Sequence, residues 1–282
     1  MMAEGRYSFA VGDFACVALS DGSVDYAPGR FYANAAPADV EEALRSRGMS
    51  TENVTTPYSY LYVDTGRNKV LVDMGAGSLA PSTGRLLTYM ADAGLAPQEI
   101  DTVVITHAHP DHVGGTLDEE GKPFFANAQY FMWQREWEFW FSDQAGEMAP
   151  QPHVEIARRN LEPIAERIKF VNDEVEFLPG FSAIQAPGHT PGHLAVLVTS
   201  GRERVFYISD TVLSPLHLEH PAWLPVYDIL PDEAARSKRR VFDLAAEQDL
   251  LVMGMHFPPF PSLGYVSKQG QGWQWKPSEP EH

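Results

Sequence analysis

The chain has 282 residues, of which 44% are hydrophobic and 21% charged, a composition typical of a folded protein and not of a disordered or collagen-like one. The 21 Lys and Arg residues against 38 Asp and Glu give a formal net charge of −17, which disfavours nucleic acid and anionic membranes as partners because like charges repel. The single cysteine, Cys16, excludes an internal disulfide and a cysteine-rich zinc module, so any metal must be held by His and carboxylate ligands.

The N-terminal segment has no basic region followed by an unbroken apolar run. No later stretch approaches the ~18 consecutive apolar residues that a membrane span requires. We therefore expect a cytoplasmic protein.

The first third of the chain predicts strands and a helix. Short runs of β-branched and aromatic residues bounded by turn formers predict strands at 14–19, 58–64 and 69–73. A helix is predicted over 83–94, with Thr83 as N-cap and Gly94 just past the last turn. Its apolar residues recur at helical spacing and predict one buried face.

The middle of the chain predicts a strand at 101–106 that ends abruptly at His107, then a strand in AQYFM and an aromatic helix from Trp133 to Phe141. A further helix over VEIARRNLEPIAERI is expected to kink or split at Pro163. The strands VEFL, FSAIQA, LAVLVT and RVFYIS follow, then a helix from Pro231 to Gln248 and a strand in LLVMG.

Strands and helices are interleaved along the chain, without a repeat of fixed period or a low-complexity linker. This arrangement predicts a single α/β domain over 1–275 and an unstructured tail over 276–282. The segment ADVEEALRSRG predicts an amphipathic helix that either caps its own domain or packs against a second subunit, so a homodimer is an open alternative.

A cluster of potential metal ligands lies in HAHPDH, directly after the predicted strand 101–106. Alternate residues of an extended turn point in different directions, so His107, His109, Asp111 and His112 are spaced for two ions and not for one. Three more candidates each follow an apolar strand, where ligands converge at one edge of a sheet: His189, Asp210 and His256. We interpret the remaining histidines outside these motifs as hydrogen-bonded or surface residues: His153, His217, His220 and His282.

HAHPDH, followed by GHTPGH, Asp210 and His256, resembles the metallo-β-lactamase superfamily of binuclear hydrolases over roughly residues 55–275. The resemblance implies an αβ/βα four-layer sandwich in which two mixed sheets are flanked by helices. LVDMGAG also matches a family motif, and this match implies that Asp73 supports a ligand histidine. His193 in GHTPGH is assigned a similar supporting role.

The resemblance further implies a role for each ligand. His107, His109 and His189 would hold one divalent ion, Asp111, His112 and His256 would hold a second, and Asp210 would bridge the pair. Zinc is the first choice of metal, with manganese, iron or cobalt as alternatives, because imidazole and carboxylate suit all four. Two such ions lower the pKa of a shared water toward neutrality, which predicts hydrolysis. Asp111 and Asp210 are the predicted catalytic carboxylates, with Asp111 carrying a proton toward the leaving oxygen.

Three further stretches carry a finer resemblance: YLYVDTG with VLVDMGAG, REWEFWFS, and HFPPFPSLGYV, which begins at the last ligand. Within the superfamily they are most similar to the methyl parathion hydrolase-like branch, which includes relatives acting on lactones and esters. That similarity implies that Trp140 and Leu79 line the substrate pocket. The predicted helix from Trp133 to Phe141 has more aromatic residues than one buried face needs, so we expect Phe139 to face the pocket as well.

The quorum-quenching lactonases of the superfamily carry a tyrosine three residues after the bridging aspartate, where this chain has Leu213, and this departure disfavours N-acyl homoserine lactones as substrates. We assign Leu213 to the pocket as well.

These observations predict a binuclear metal-dependent hydrolase that cleaves small apolar esters, including aryl esters, lactones and phosphotriesters. One alternative is a quorum-quenching lactonase that degrades N-acyl homoserine lactones. Another is a non-catalytic signal-response or effector protein that retains the metal site. The predicted partner is a small apolar ester or lactone. A glyoxalase II-like function, which needs a basic patch for its acidic substrate, is disfavoured because the one basic cluster, 238–240, is interpreted as a solvated helix face.

Overall fold

The computed structural model describes residues 5–278, and two mixed sheets of seven strands each form its centre. The strands of the first sheet lie side by side in chain order, antiparallel from β1 to β4 and parallel from β4 to β7. Their bounds are β1 (Arg6–Val11), β2 (Phe14–Tyr26), β3 (Val54–Asp64), β4 (Lys69–Val72), β5 (Thr102–Val104), β6 (Gln129–Met132) and β7 (Ile168–Phe170).

The second sheet also follows chain order, and its β11–β12 pair is parallel while its other pairs are antiparallel. Its strands are β8 (Glu176–Leu178), β9 (Phe181–Gln185), β10 (Leu194–Ser200), β11 (Glu203–Tyr207), β12 (Leu251–Met253), β13 (Leu263–Gln269) and β14 (Gly272–Pro277).

Nine α-helical segments accompany the sheets within residues 5–278. Their bounds are α1 (Pro28–Phe31), α2 (Pro37–Ser46), α3 (Leu86–Asp92), α4 (Pro110–Val113), α5 (Gln134–Trp140), α6 (Asp143–Met148), α7 (Gln151–Leu161), α8 (Leu216–Glu219) and α9 (Pro231–Glu247).

Strand β11 shows why the layers form. Its side chains alternate between the two faces of the sheet, so Val205 and Tyr207 enter the core shared with the first sheet, while Phe206 packs with Phe242 of α9 on the other face. Burying one such side chain stabilises the fold by roughly 2 kcal/mol. The predicted four-layer sandwich of two mixed sheets flanked by helices is confirmed.

Several element boundaries differ from the predictions. Helix α3 begins at Leu86 with Arg85 as N-cap, because the Thr83 hydroxyl instead donates to the carbonyls of Gly77 and Ala80 within the preceding loop. Pro163 ends α7, and a 3-10 helix continues from Glu162 to Arg167, as the predicted split requires.

The predicted tail begins too early. Lys276 and Pro277 are the last residues of β14, which pairs along its length with β13. The remainder of the expected tail, residues 279–282 with His282, lies outside the described residues.

The basic cluster is also not a uniformly solvated face, because Lys238 is only 2% exposed. Its Nζ donates to the carbonyl oxygens of Pro221 and Trp223 at 3.2 and 2.9 Å, so the amphipathic helix α9 turns this one lysine inward. None of the described helices has the length and apolar character needed to cross a membrane.

Candidate metal centre

The candidate site lies where parallel strands of the two sheets end. Asp73 follows β4 and His107 follows β5, and these two strands are a parallel pair. Asp210 follows β11 and His256 follows β12, the parallel pair of the second sheet. Because the carboxyl ends of parallel strands meet at one edge, residues far apart in sequence come together there.

The seven side chains singled out in the sequence form two groups. The first contains His107, His109 and His189, and the second contains Asp111, His112, Asp210 and His256. Within each group one ligand atom per residue lies within 4.8 Å of the others. Both groups are buried, apart from Asp111, which is partly exposed. Each group could therefore hold one metal ion.

Asp210 lies between the two groups. Its Oδ2 is 3.3 Å from Nε2 of His189 and 3.9 Å from Nε2 of His107, both in the first group. Toward the second group, Oδ2 is 3.2 Å from Nε2 of His256 and Oδ1 is 3.4 Å from Nε2 of His112. A carboxylate with Oδ2 near both groups and Oδ1 near the second is suited to contact two ions at once.

Neighbouring groups fix the outer nitrogen of several rings. Nδ1 of His112 lies 2.8 Å from Asp73, and Nδ1 of His189 lies 3.0 Å from Asp228. Nδ1 of His256 faces the carbonyl oxygen of Pro57 at 3.2 Å. Such partners orient an imidazole so that its other nitrogen points into the site. The sequence analysis missed Asp228, because its segment, VYDIL, carries no motif.

The residues fit a pair of divalent cations. Nε2 of His107, Nε2 of His112 and Oδ1 of Asp210 are buried without a hydrogen-bond partner among the described residues. Nearly all buried polar atoms of folded proteins have a partner, so three unpartnered atoms at one point indicate an unsatisfied ligand requirement. Imidazole and carboxylate are ligands that zinc and its first-row neighbours accept.

The electrostatics differ from one histidine of the site to the next. Burial lowers the pKa of His107 and of His109 well below the usual value, so both rings are neutral, as ligands must be. For His112 burial also lowers the pKa, but Asp73, Asp210 and Asp111 together raise it well above the usual value. Burial lowers the pKa of His189 in the first group too, but Asp210 and Asp228 raise it to about 9. The carboxylates therefore place negative charge beside both groups.

His193 occupies a different position from the one expected for a support of a ligand histidine. Its Nε2 accepts a hydrogen bond from the backbone N–H of Asp210 at 3.1 Å. His193 is fully buried. It therefore fixes the backbone that carries the central carboxylate.

A cavity of about 360 Å³ opens above the two groups. Leu79 and Leu213 line it, as the sequence analysis expected, together with aromatic and apolar residues of β2, α1 and the segment after α8. His153 also lines it, with Nδ1 buried and without a hydrogen-bond partner in the described part of the chain. The interpretation of His153 as a hydrogen-bonded or surface residue is corrected, because α7 places it in the wall of this cavity.

Trp140 and Phe139 are not among the residues that line this cavity. Trp140 is fully buried, its ring lies 5.6 Å from that of His109, and its Nε1 donates to Glu136 at 2.6 Å. The expectation that both aromatic residues face the substrate is corrected, because α5 packs this side into the core behind His109.

Comparison with known proteins identifies the class. The family model of the metallo-β-lactamase superfamily matches residues 53–256. That span is more than half of the chain, and the protein therefore belongs to the metallo-β-lactamase superfamily.

Two solved structures resemble the whole chain. One is AidC, a dizinc quorum-quenching lactonase in complex with a product, with a TM-score of 0.94, 26% identity and 99% of each chain covered. The other is the hydrolase AbOPH of the β-lactamase superfamily, with a TM-score of 0.92, 28% identity and full coverage of both chains.

An N-acyl homoserine lactonase of Bacillus cereus is 25% identical over 114 residues, which are 40% of this chain. The matched segment covers only 39% of that relative's own length. The likeness in sequence to this lactonase is therefore partial, whereas the likeness to the two structures extends over the whole fold.

Proposed function

We propose that the protein is a binuclear metal-dependent hydrolase of small apolar ester-type substrates: aryl esters, lactones and phosphotriesters. The observation that carries the proposal is the convergence of five imidazoles and two carboxylates at the base of a cavity with apolar walls. His107, His109 and His189 would hold one ion, Asp111, His112 and His256 the other, and Asp210 both. Zinc is the first choice of metal.

A pair of divalent cations supplies two things when bound: a lowered pKa of water, and polarisation of the carbonyl or phosphoryl oxygen under attack. The chain's own residues supply the rest. Asp210 links the two ligand groups, because its Oδ2 lies near both and its Oδ1 lies near the second. Asp111, the partly exposed member of its group, would carry a proton toward the leaving oxygen.

The cavity walls support a small apolar substrate. Val24, Phe31, Leu79 and Leu213 contribute aliphatic and aromatic surface above the polar base. A volume of about 360 Å³ lies near the lower end of ligand pockets, which span roughly 300–1,000 Å³. Apolar walls of this kind bind an acyl or aryl group and exclude water from the reacting centre.

A second candidate function, hydrolysis of N-acyl homoserine lactones, is favoured by one observation. AidC, whose name describes a dizinc quorum-quenching lactonase, matches 99% of this chain and is itself matched over 99% of its length. An N-acyl homoserine lactone combines a small lactone ring with an apolar chain, which suits the same base and walls. The third candidate, a signal-response protein that keeps the metal without turnover, predicts binding of such ligands without hydrolysis.

Metal analysis together with a substrate panel tests these alternatives. Purified protein is expected to contain about two divalent ions per chain, and chelation is expected to abolish hydrolysis of aryl esters, lactones or methyl phosphotriesters. Asp210→Asn should lose both metal and activity, whereas Asp173→Asn, the same change at an exposed position, should lose neither. Two bound ions without turnover of any panel member would favour the signal-response alternative.

Three further expectations accompany the proposal. We propose a cytoplasmic location and a partner set without nucleic acid or membrane, in keeping with the net charge of −17. The amphipathic segment is a helix, α2, and its docking against a second subunit stays a prediction. Size-exclusion chromatography with light scattering would decide between monomer and homodimer.

A further inference from the structure

Glu136 is a fully buried acidic residue that lies outside the seven predicted ligands. It belongs to α5, and its relative exposure is 0%. An ionised carboxylate is rarely buried in a folded protein unless it is paired or fully hydrogen-bonded, because transfer from water is costly. The position therefore needs an explanation in terms of its hydrogen-bond partners.

Four donors converge on the two oxygens of this carboxylate. Oε1 accepts from the backbone N–H of Ala108 at 2.9 Å and from Nε1 of Trp140 at 2.6 Å. Oε2 accepts from the hydroxyl of Thr190 at 2.7 Å and from the backbone N–H of Gly192 at 2.9 Å. Each oxygen is thus satisfied twice, and the ionised form can accept all four bonds.

These donors belong to the two chain segments that carry the first ligand group. Ala108 lies between His107 and His109, after β5 of the first sheet. Thr190 directly follows His189, in the connection between β9 and β10 of the second sheet. One carboxylate therefore joins the segment with two of the histidines to the segment with the third, across the two sheets.

The packing at Gly192 shows that this approach is close. A Cβ at that position would lie 2.2 Å from the backbone nitrogen of Glu136 and 2.5 Å from its Cα. Only glycine allows the backbone of the His189 segment to reach the start of α5. The short distance lets Glu136 contact the segment through its side chain without a bridging water.

The second ligand group is supported by residues other than Glu136. His112 is held by Asp73 at 2.8 Å, and the phenol of Tyr60 donates to the carbonyl oxygen of Asp111 at 2.6 Å. Outside the ligand groups, the backbone N–H of Leu194 donates to Thr106 and joins the two sheets without Glu136. A change at Glu136 is therefore expected to relax the first group while the fold and the second group persist.

We propose that Glu136 is a positioning residue that sets the separation of the His107–His109 segment from His189, and so controls metal affinity at the first group selectively. The inference rests on the proposed metal centre. It assigns Glu136 no contact with substrate or metal. It predicts that a change at Glu136 lowers the metal affinity of the first group and leaves that of the second unchanged.

Glu136→Gln tests the proposal with almost no change in shape. The side-chain NH2 of the glutamine must take the place of Oε1 or of Oε2. It then faces the backbone N–H of Ala108 or of Gly192, and two donors cannot form a hydrogen bond with each other. We expect zinc affinity at the first group to fall about 10-fold to 100-fold, with affinity at the second group unchanged. Glu138→Gln, the same change at an exposed position of the same helix, is the matched control.

The readout is binding, measured separately at each group. Competition with a chromophoric chelator gives the two zinc affinities, and anomalous scattering from crystals grown at limiting zinc gives the occupancy of each group. Circular dichroism and thermal unfolding of the zinc-free proteins report whether the fold is kept.

A second pair of variants decides the question should Glu136→Gln fail to fold. Thr190→Val removes one donor at constant shape and is expected to weaken the first group about 10-fold, whereas Thr190→Ser keeps the hydroxyl and should match the wild type. Equal weakening of both groups, or wild-type affinity at the first group, would overturn the inference. Wild-type protein that binds no divalent metal would instead overturn the proposed function.

Discussion

The Oδ2 of Asp73 lies 2.8 Å from Nδ1 of His112, although the two residues are 39 positions apart in the chain. The same carboxylate accepts from the backbone N–H and from the hydroxyl of Thr106, both at 2.8 Å. Asp73 adopts a positive φ of 62° directly after β4, which turns its side chain toward the end of β5. One residue thus fixes both a ligand ring and the turn that introduces the metal loop.

Asp73→Asn should weaken metal binding at the second group. Asparagine tolerates the positive φ, but its amide nitrogen must face the N–H of Thr106 or compete for the position beside His112. We expect zinc affinity at this group to fall about 10-fold to 100-fold, measured by chelator competition. Asp92→Asn, the same change at an exposed position, is the control. Asp73→Asn should weaken zinc binding mainly at the second group, whereas Glu136→Gln should weaken it at the first.

Leu213→Ala should alter substrate selectivity because this side chain lines the cavity. The loss of apolar contact is expected to lower kcat/KM for short-chain aryl esters and lactones about 10-fold, with a smaller effect on longer chains that fill the space. Leu216→Ala is the matched control, since Leu216 is buried in the same cluster but does not line the cavity. Both variants should lose stability, and a selectivity change in both would contradict the prediction.

Trp140→Phe distinguishes a supporting role from a substrate contact. The variant keeps an aromatic ring beside His109 but removes the N–H that donates to Glu136. We expect zinc affinity at the first group to fall about 5-fold to 10-fold and the preference among substrates to stay as in the wild type. A changed order of preference among aryl leaving groups would restore the interpretation of Trp140 as a pocket residue.

Lys238 should make stability depend on pH in the alkaline range. Burial lowers its pKa from 10.5 to about 8 in the folded chain. Between these two values the unfolded chain binds more protons, so the free energy of unfolding should rise with pH, by roughly 3 kcal/mol in total. Below pH 8 this contribution is absent.

Lys238→Met should remove that rise, whereas Lys122→Met, at an exposed lysine, should retain it. Urea unfolding of all three proteins from pH 7 to pH 10.5 measures the difference. Parallel curves for the wild type and Lys238→Met would show that Lys238 keeps an ordinary pKa in the folded state.

Local signatures in the sequence predicted a single α/β domain and the seven candidate ligands, whereas the four-layer sandwich was implied by the resemblance to the superfamily. Alternating apolar residues mark strands whatever surrounds them, and HAHPDH places four candidate ligands at the end of one such strand. His189, Asp210 and His256 are recognisable for the same reason, since each comes just after an apolar run. Because strand ends meet at one edge of a sheet, the ends of these runs indicated which residues could come together as ligands.

Only the tertiary structure decided which other polar residues serve the site. Glu136 reads as one more charge on a helix, and Asp228 as a loop residue, until folding surrounds one with four donors and places the other against His189. Lys238 and Trp140 were misjudged for a related reason. A side chain's burial depends on elements distant in sequence that pack over it, and periodicity within its own segment does not report which elements those are.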